Sequence, residues 1–320
     1  MSNISEIKSV KEKSDIIKIV SHFIDIKKDG VNFKGKCPFH LEKSNSFIVN
    51  SQRQKYKCFG CGASGDSIDF VINYKGFKYK EALEWIAGFE NITIDKDYEY
   101  QQFIEPEPDY LSAELLNKSL KSTHHNNFDL WLKSLTDKKH EYITSTSNKR
   151  WFGSVVFWYL DVDNRVCSGK IMQYNPVNGK RIKEPKPLVT WVHKMLKIKD
   201  FTLKVCLFGE YLLPKYPNKK VGIVESEKTA ILASICYPDL IWLASGSLSY
   251  LTYQRCQVLK GRNVLLYPDV GAEHLWIEKA NQMNELMKET NFEVHGLRGE
   301  YEKGYDLCDY ILENKLYDRN

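Results

Sequence analysis

The chain carries the stretch Cys37-Pro38-Phe39-His40 and, seventeen residues further on, the stretch Cys58-Phe59-Gly60-Cys61. Three thiols and one imidazole in two half-sites, C-x2-H and C-x2-C, are ligands that can close a tetrahedron around Zn²⁺. Between them, two β-prone runs, Phe47-Ile48-Val49 and Gln54-Lys55-Tyr56-Lys57, flank a polar turn and predict a hairpin. The ligand pairs therefore fall on turns at strand ends, which is typical of a zinc ribbon.

Two other interpretations of these cysteines are less favoured. Unrelated buried thiols beside an unconnected histidine would rarely give two matched half-sites at this separation. Redox disulfides would leave His40 without a role, and the charged opening of the chain, residues 1–14, has no secretory character. One structural Zn²⁺ is therefore the expected cofactor of the N-terminal region.

Residues 6–90 resemble the CHC2-type zinc-binding domain of bacterial and phage DNA primases. The segments that carry the resemblance are Val10–Ile17, Lys28–Gly30, Cys37–Ser44, Ser46-Phe47, Lys57–Gly62, Gly65-Asp66, Phe70-Val71 and Glu81–Ala87. The resemblance implies a zinc ligand set of Cys37, His40, Cys58 and Cys61. It also implies a domain that contacts single-stranded template DNA and helps to choose where a primer begins.

Positive charge is concentrated on this zinc module. Between Gly30 and Cys61, six basic residues stand against Glu42 alone, a net +5 that equals the formal excess of the whole chain. The basic residues are Lys34, Lys36, Lys43, Arg53, Lys55 and Lys57, and the interleaved aromatic residues are Phe33, Phe39, Phe47, Tyr56 and Phe59. Cations alternating with aromatic rings suit the phosphates and bases of a single strand. The alternative, that the rings fill a small core, is favoured for Phe39 and Phe59.

Length and composition predict a multidomain cytoplasmic protein without a membrane span. The 320 residues have room for two or three domains, and 42% of them are hydrophobic, with no run of about 18 apolar residues. The expected domains are the zinc ribbon at residues 1–94, an acidic linker at 95–112, a helical and then β-rich subdomain at 113–215, and a parallel α/β domain at 216–320. The linker follows from six carboxylates against one lysine between residues 95 and 110, with Pro106 and Pro108.

The middle subdomain combines a polar helical stretch with strand-like runs. Ser154–Leu160 and Val166–Tyr174 flank the turn Asp161–Asn164, and Asn178-Gly179 marks a second turn. Four basic side chains in this stretch could hold template or nucleotide phosphates: Lys170, Lys180, Arg181 and Lys183. A solvated hairpin face is an equally good interpretation of them.

The C-terminal part alternates short apolar runs with helical stretches, a pattern that predicts a parallel sheet covered on both faces. The expected strands are Val221–Val224, Ile241–Ala244, Asn263–Tyr267 and Phe292–His295, and the expected helices are Glu227–Cys236, Leu251–Leu259, Ala272–Lys288 and Leu307–Glu313. Chemistry in such sheets collects at the carboxyl ends of the strands. Glu225 and Asp269 fall there, where two carboxylates could bind Mg²⁺. Either residue alone could equally be a helix cap.

Four segments of this part resemble the Toprim domain shared by primases, topoisomerases and some nucleases: Ile223–Ala230, Ala244–Ser247, Leu265–Asp269 and Gly304–Tyr310. The resemblance places the family's acid–base glutamate on Glu225, its glycine on Gly246, and its metal-binding aspartates on Asp269 and Asp306. It implies Mg²⁺ at this site. Lys228 and Gly246 are the expected nucleotide contacts here, together with Lys170 and Arg181 from the middle subdomain.

The sequence also departs from the Toprim pattern. Ser226 replaces a glycine, Thr229 replaces an aspartate, and Gly271 replaces the second aspartate of the D-x-D pair. Three interpretations stay open: Glu273 replaces the missing carboxylate, Asp306 supplies the second metal contact, or the domain has lost turnover and only binds nucleic acid.

The sequence thus favours a DNA primase-like nucleotidyltransferase of the compact kind that suits a mobile element. Its expected partners are single-stranded DNA, ribonucleoside triphosphates and a separate replicative helicase. A non-catalytic DNA-binding accessory protein is the main alternative, and a Toprim nuclease or strand-breaking enzyme is a third.

Overall fold

The computed structural model of the chain describes residues 10, 12–39, 45–58, 63–77, 79–92, 108–122, 124–147, 152–184, 188–204 and 206–318. The chain forms two compact units. Unit 1 comprises residues 1–105 with 247–254, and unit 2 comprises residues 106–246 with 255–320.

Unit 1 is built on a five-stranded antiparallel sheet whose strands lie in chain order. Its strands are β1 (Ile26–Asp29), β2 (Asn32–Gly35), β3 (Phe47–Asn50), β4 (Lys55–Cys58) and β5 (Ser64–Gly65). Helix α1 (Ile16–Phe23) precedes the sheet, and α2 (Ser67–Lys75) and α3 (Tyr79–Glu90) follow it. The Asp15 side chain caps α1, and Asp66 and Asp69 form a capping box at the start of α2.

The core of unit 1 lies between one face of this sheet and the helices. Phe47, Val49 and Tyr56 contribute from the strands, and Phe70 and Ile86 from the helices. Buried side chains alternate with exposed ones along β4, where Tyr56 and Cys58 are buried and Lys55 and Lys57 are exposed. The sheet therefore presents one apolar and one polar face.

Unit 2 begins with two helices and a four-stranded antiparallel sheet. The helices are α4 (Ala113–Leu120) and α5 (Asn127–Leu135), and the strands are β6 (Thr144–Ser147), β7 (Ser154–Leu160), β8 (Val166–Met172) and β9 (Val189–Trp191). All seven residues of β7 are buried. The short helix α6 (Val192–Met195) follows β9.

A four-stranded parallel sheet in the order β11-β10-β12-β13 completes unit 2. Its strands are β10 (Val221–Val224), β11 (Ile241–Ala244), β12 (Asn263–Leu266) and β13 (Asn291–Val294). The helices along this part of the chain are α7 (Glu227–Cys236), α8 (Tyr253–Cys256), α9 (Glu273–Leu286) and α10 (Leu307–Glu313), with 3-10 turns at Glu210–Leu212, Leu248–Tyr250, Gln257–Leu259 and Leu316–Asp318. The predicted fold class, which combined a small N-terminal β module with a β-rich middle part and a parallel α/β sheet, is confirmed.

Some predicted boundaries differ from the structure. The predicted polar helical stretch is two helices separated by residues 121–126. Asp109 and Leu111, placed in the linker, form β-bridges with Leu203 and Val166 and so belong to unit 2. The division predicted at residue 215 lies inside unit 2 and stays a prediction. Among the described residues no helix is long and apolar enough to cross a membrane.

Candidate functional site

Two of the four predicted zinc ligands, Cys37 and Cys58, lie at the same end of the unit 1 sheet. Gly35 pairs with Phe47, and Phe47 in turn pairs with Cys58. Cys37 follows Gly35 by two residues and therefore lies near the same end of the sheet. Both cysteines are buried. The other two ligands, His40 and Cys61, lie outside the described residues.

The surroundings of both sulfur atoms suit metal-bound thiolates. The Phe39 backbone N–H donates a hydrogen bond to Cys37 Sγ at 3.4 Å, and Ser46 Oγ lies 3.1 Å from Cys58 Sγ. Zinc requires a deprotonated thiol, and hydrogen-bond donors at sulfur stabilise that charge. The donor set therefore fits a structural zinc.

The polar face of the same sheet carries a cross-strand row of lysines. Strand register places Lys27 opposite Lys34, Lys34 opposite Ile48, and Ile48 opposite Lys57. Side chains that face each other across a sheet share one face. Lys55 lies on this face too, opposite Asn50. The row is a cationic strip with an aliphatic residue at its centre, and the Asp29 carboxylate, 3.5 Å from Lys34 Nζ, offsets part of its charge.

The aromatic residues expected among these lysines lie elsewhere. Phe47 and Tyr56 are buried in the core, where their rings stack with centroids 5.1 Å apart, and Phe39 packs against the same cluster. The prediction that Phe47 and Tyr56 interleave with the cations as stacking platforms is wrong. Strand alternation sends the rings to one face and the lysines to the other. The packing role predicted for Phe39 is confirmed, and Phe59 lies outside the described residues.

In unit 2 the predicted carboxylates converge at the carboxyl end of the parallel sheet. Glu225 follows β10 directly, and Asp269 lies three residues after β12, the strand paired with β10. Burial raises the pKa of Asp269 to about 8, and the negative charges of Glu225, Asp306 and Asp309 add to the effect. The charges of the other three carboxylates therefore oppose ionisation of Asp269. We call these four carboxylates the acidic pocket.

Asp306 in this pocket is also the N-cap of α10. Its Oδ1 accepts a hydrogen bond from the Asp309 backbone N–H at 2.8 Å, and its Oδ2 accepts one from the Thr229 hydroxyl at 2.9 Å. Burial raises the pKa of Asp306, although the positive charge of Lys228 and the hydroxyl of Thr229 act in the opposite direction. Thr229, which stands where the Toprim pattern has an aspartate, thus removes one negative charge and orients another.

The Glu273 carboxylate is bonded to the backbone of its own loop, and its role as the replacement carboxylate stays a prediction. Its Oε2 accepts a hydrogen bond from the Gly271 backbone N–H at 2.8 Å, and it is not among the carboxylates whose charge acts on Asp269. Gly271 has a φ of +87°, in the left-handed region that favours glycine. The loop that replaces the second aspartate therefore keeps Glu273 at the start of α9.

Three of the four expected nucleotide contacts, Gly246, Lys228 and Arg181, differ in their burial and in the groups that they contact. The Gly246 backbone N–H, at a φ of +85°, donates to the Glu225 carbonyl at 2.8 Å and so anchors that backbone. Lys228 Nζ lies 5.5 Å from the Trp131 ring centroid. Burial lowers the pKa of Lys228, but neighbouring Cys308 and Asp306 raise it overall. Arg181 is exposed after β8, where its backbone forms an isolated antiparallel β-bridge with Tyr174.

Lys170 is bound to protein rather than exposed for a ligand. Its ammonium group donates to Glu227 Oε1 at 2.7 Å, and the Tyr159 hydroxyl donates to the same oxygen. The Glu227 side chain is 1% exposed. Sequence reasoning missed both Glu227 and Tyr159, because the partners of Glu227 lie 57 and 68 positions away. The network joins the antiparallel sheet to the first turn of α7, just after Glu225.

Over the described parts of both units, no three histidine, cysteine, aspartate or glutamate side chains are gathered tightly enough to hold a metal ion. The chemistry of the acidic pocket nevertheless fits a divalent cation. Its carboxylates supply hard oxygen ligands, and their mutual repulsion would be relieved by a positive ion. Asp269 and Asp306 are the two residues that would hold it.

The chain is similar to two known families. Residues 3–102 match the family described as CHC2 zinc finger. Residues 120–270 match a domain of unknown function (DUF6371), a span that includes Glu225 and Asp269 but not Asp306. The first match shows that the N-terminal region is similar to a zinc finger family and supports zinc binding there.

The curated relatives are DNA primases. The chain is 48% identical over 89 residues to the DNA primase of Clostridium acetobutylicum, which covers 28% of this chain and 15% of that protein. It is 43% identical over 82 residues to the DNA primase of Escherichia coli K12, covering 26% and 14%. The chain thus spans about a seventh of the length of these relatives. The solved zinc-binding and RNA polymerase domains of Aquifex aeolicus primase are 18% identical, covering 97% of this chain and 82% of that one with a TM-score of 0.39.

Proposed function

We propose that this chain, whose residues 3–102 carry the CHC2 zinc finger of DNA primases, is itself a DNA primase. In this proposal unit 1 holds a single-stranded DNA template, and the acidic pocket of unit 2 joins ribonucleotides into a short RNA primer. The observation that supports the proposal is that Glu225 and Asp269 follow neighbouring strands of a parallel sheet at their carboxyl ends, with the charges of Glu225 and Asp306 acting on Asp269.

Template binding would use the cationic strip of unit 1. Lys27, Lys34 and Lys57 follow one another across the strands and could contact successive phosphates, while Ile48 offers an apolar surface for a base. Cys37, His40, Cys58 and Cys61 would hold one structural Zn²⁺ that fixes the end of this sheet. A separate helicase would supply the unwound strand.

Primer synthesis would take place at the acidic pocket. The 3′-hydroxyl of the primer attacks the α-phosphorus of the incoming ribonucleotide, a P–O bond forms, and the bond to pyrophosphate breaks. Glu225, whose backbone carbonyl is bound by the Gly246 N–H, would accept the proton of the attacking hydroxyl. Asp269 and Asp306 would hold Mg²⁺, which when bound stabilises negative charge on the phosphates. Thr229 keeps Asp306 oriented through its hydrogen bond.

The experiment is template-directed primer synthesis with ribonucleotides and Mg²⁺ on single-stranded DNA. Removal of the acid–base group in Glu225→Gln is expected to lower the rate by about 10²–10⁴-fold. Asp269→Asn is expected to lower it strongly as well, because it weakens metal binding. Glu278→Gln, which neutralises an exposed carboxylate of α9, is the matched control and should keep wild-type activity. Wild-type rates in the Glu225 variant would refute its role.

A second candidate function, a non-catalytic DNA-binding accessory protein, is favoured by Gly271 in place of an aspartate and by the capping role of Asp306. It predicts that the folded wild-type protein shifts single-stranded DNA in gels but makes no primer. Nicking of supercoiled plasmid would instead support the nuclease interpretation.

A further inference from the structure

Two adjoining cavities open on unit 2 apart from the acidic pocket. The larger, of about 420 Å³, lies between α5 and residues 136–144. The smaller, of about 170 Å³, is lined by Ile241 and Trp242 at the start of β11. Both are lined by Lys139 and His140, so they form one groove. The acidic pocket lies at the opposite, carboxyl ends of the parallel strands, roughly 10 Å away at about 3.3 Å per residue.

Lysines dominate the charge of this groove. Lys133, Lys138 and Lys139 line the larger cavity, and Lys139 and Lys219 line the smaller one. Three carboxylates face them, Asp129, Asp137 and Glu141. Glu141 is already bound by the Lys215 ammonium and the Tyr216 hydroxyl, which lower its pKa. Four lysines therefore face two carboxylates whose charge Lys215 does not offset. No salt bridge to a described residue engages Lys139.

His140 adds a neutral donor at the junction of the two cavities. Its Nδ1 accepts a hydrogen bond from the Tyr142 backbone N–H at 3.2 Å. Burial lowers the pKa of His140, so the ring is neutral at physiological pH and carries its proton on Nε2. Among the described residues no acceptor meets that N–H. The groove thus offers ammonium groups and an imidazole N–H together.

Asp129 provides the complementary acceptor in the larger cavity. Its Oδ2 is held by the Asn126 side-chain amide at 2.7 Å, which fixes the carboxylate in place on α5. Leu132, one turn along the same helix, supplies an apolar wall. A nucleotide requires cationic hydrogen-bond donors for its phosphates, an acceptor for its hydroxyl or amino groups, and an apolar surface for its base. The groove offers all three.

We infer that this groove is a second nucleotide site, with Lys138, Lys139 and His140 on the phosphates and Asp129 accepting from the sugar or base. The larger cavity falls within the range of about 300–1,000 Å³ typical of small-molecule sites. The groove shares no lining residue with the acidic pocket, so its ligand would not occupy the place of the nucleotide that is polymerised. The inference does not depend on primer synthesis.

Calorimetric titration of ATP into the full chain tests this site. The titration is made without Mg²⁺, first with the wild type and then with the Glu225→Gln/Asp269→Asn double variant, in which two carboxylates of the acidic pocket are neutralised. Binding is expected to persist there. Lys139→Gln should weaken ATP at least about tenfold, since it removes an ammonium group shared by both cavities. The matched control is Lys199→Gln, an exposed lysine of unit 2 outside both cavities, and it should bind as wild type does.

Hydrogen exchange gives an independent readout that needs no variant. ATP should slow exchange in residues 136–144 of the wild type. The inference is overturned if ATP binds equally to the Lys139 and Lys199 variants, if the double variant loses binding, or if exchange in 136–144 is unaffected. Equal affinity for inorganic tripolyphosphate and ATP would also overturn the assignment to a nucleotide.

Discussion

Two buried glutamates of unit 2 show how a partner decides the charge of a carboxyl group. Glu227 and Glu210 are 1% and 2% exposed. Burial raises the pKa of any carboxyl, but for Glu227 the Lys170 ammonium, the Tyr159 hydroxyl and a backbone N–H together more than offset this, and the pKa of Glu227 is lowered. Glu210 accepts only the Leu207 backbone N–H on Oε2, and within the described residues its Oε1 has no hydrogen-bond partner. Burial raises the pKa of Glu210 to about 7.

Glu210 should therefore make unit 2 less stable as the pH rises. Its pKa is about 7 when folded and 4.5 in the reference state, so the folded state holds the proton more tightly. Stability is lost as pH rises from 4.5 through 7. Glu210→Gln removes this dependence. The free energy of unfolding of the variant, relative to that of the wild type, should therefore rise by roughly 2–3 kcal/mol from pH 5 to pH 8. Urea unfolding at both pH values measures the gain, with Glu278→Gln as the control. A difference that does not change with pH would contradict the assignment.

At the scale of elements, predictability followed the burial of each segment. Strands β10 and β11 were predicted at their observed bounds because all four residues of each are buried and apolar. Strand β1, with three exposed residues, has no apolar run and is held by pairing with β2, so its sequence gave no strand signal. The carboxylates at strand ends could be predicted from the topology rule for parallel sheets. The Lys170–Glu227 pair could not, because it depends on how a strand and a distant helix pack.

The ion pair between Lys170 and Glu227 links β8 to the first turn of α7. Lys170→Met leaves Glu227 buried without its cation and should destabilise unit 2 by about 3–5 kcal/mol. Adding Glu227→Leu should restore most of the loss, because an apolar pair avoids the cost of burying charge. Urea unfolding measures both effects, and Lys180→Met, at an exposed position beyond β8, serves as the control. Unchanged stability combined with weaker DNA binding would instead return Lys170 to the phosphate-binding role that its sequence suggested.

At the scale of the whole molecule, the two predicted binding surfaces, the cationic strip of unit 1 and the acidic pocket of unit 2, carry opposite charges. Residues 31–60 carry a net +5, equal to the formal charge of the chain, and the exposed lysines of β4 lie among them. The acidic pocket belongs to unit 2. The basic residues of segment 31–60 therefore attract a nucleic acid without a metal ion, whereas the phosphates of a nucleotide can approach the acidic pocket only once a cation offsets its carboxylates. DNA binding should thus tolerate the absence of Mg²⁺.

Zinc should stabilise one unit and not the other. Cys58→Ser removes a buried ligand at the end of the unit 1 sheet, and at such a site the free energy of metal binding is folding free energy. We expect loss of zinc by elemental analysis and faster hydrogen exchange in β2, β3 and β4. Strands β7 and β10, in the separate core of unit 2, should keep their protection. Cys236→Ser, at a half-buried cysteine of unit 2, controls for the loss of a thiol. Retained zinc in the Cys58 variant would show that the ligand set is wrong, and loss of protection throughout the chain would show that the two units do not fold independently.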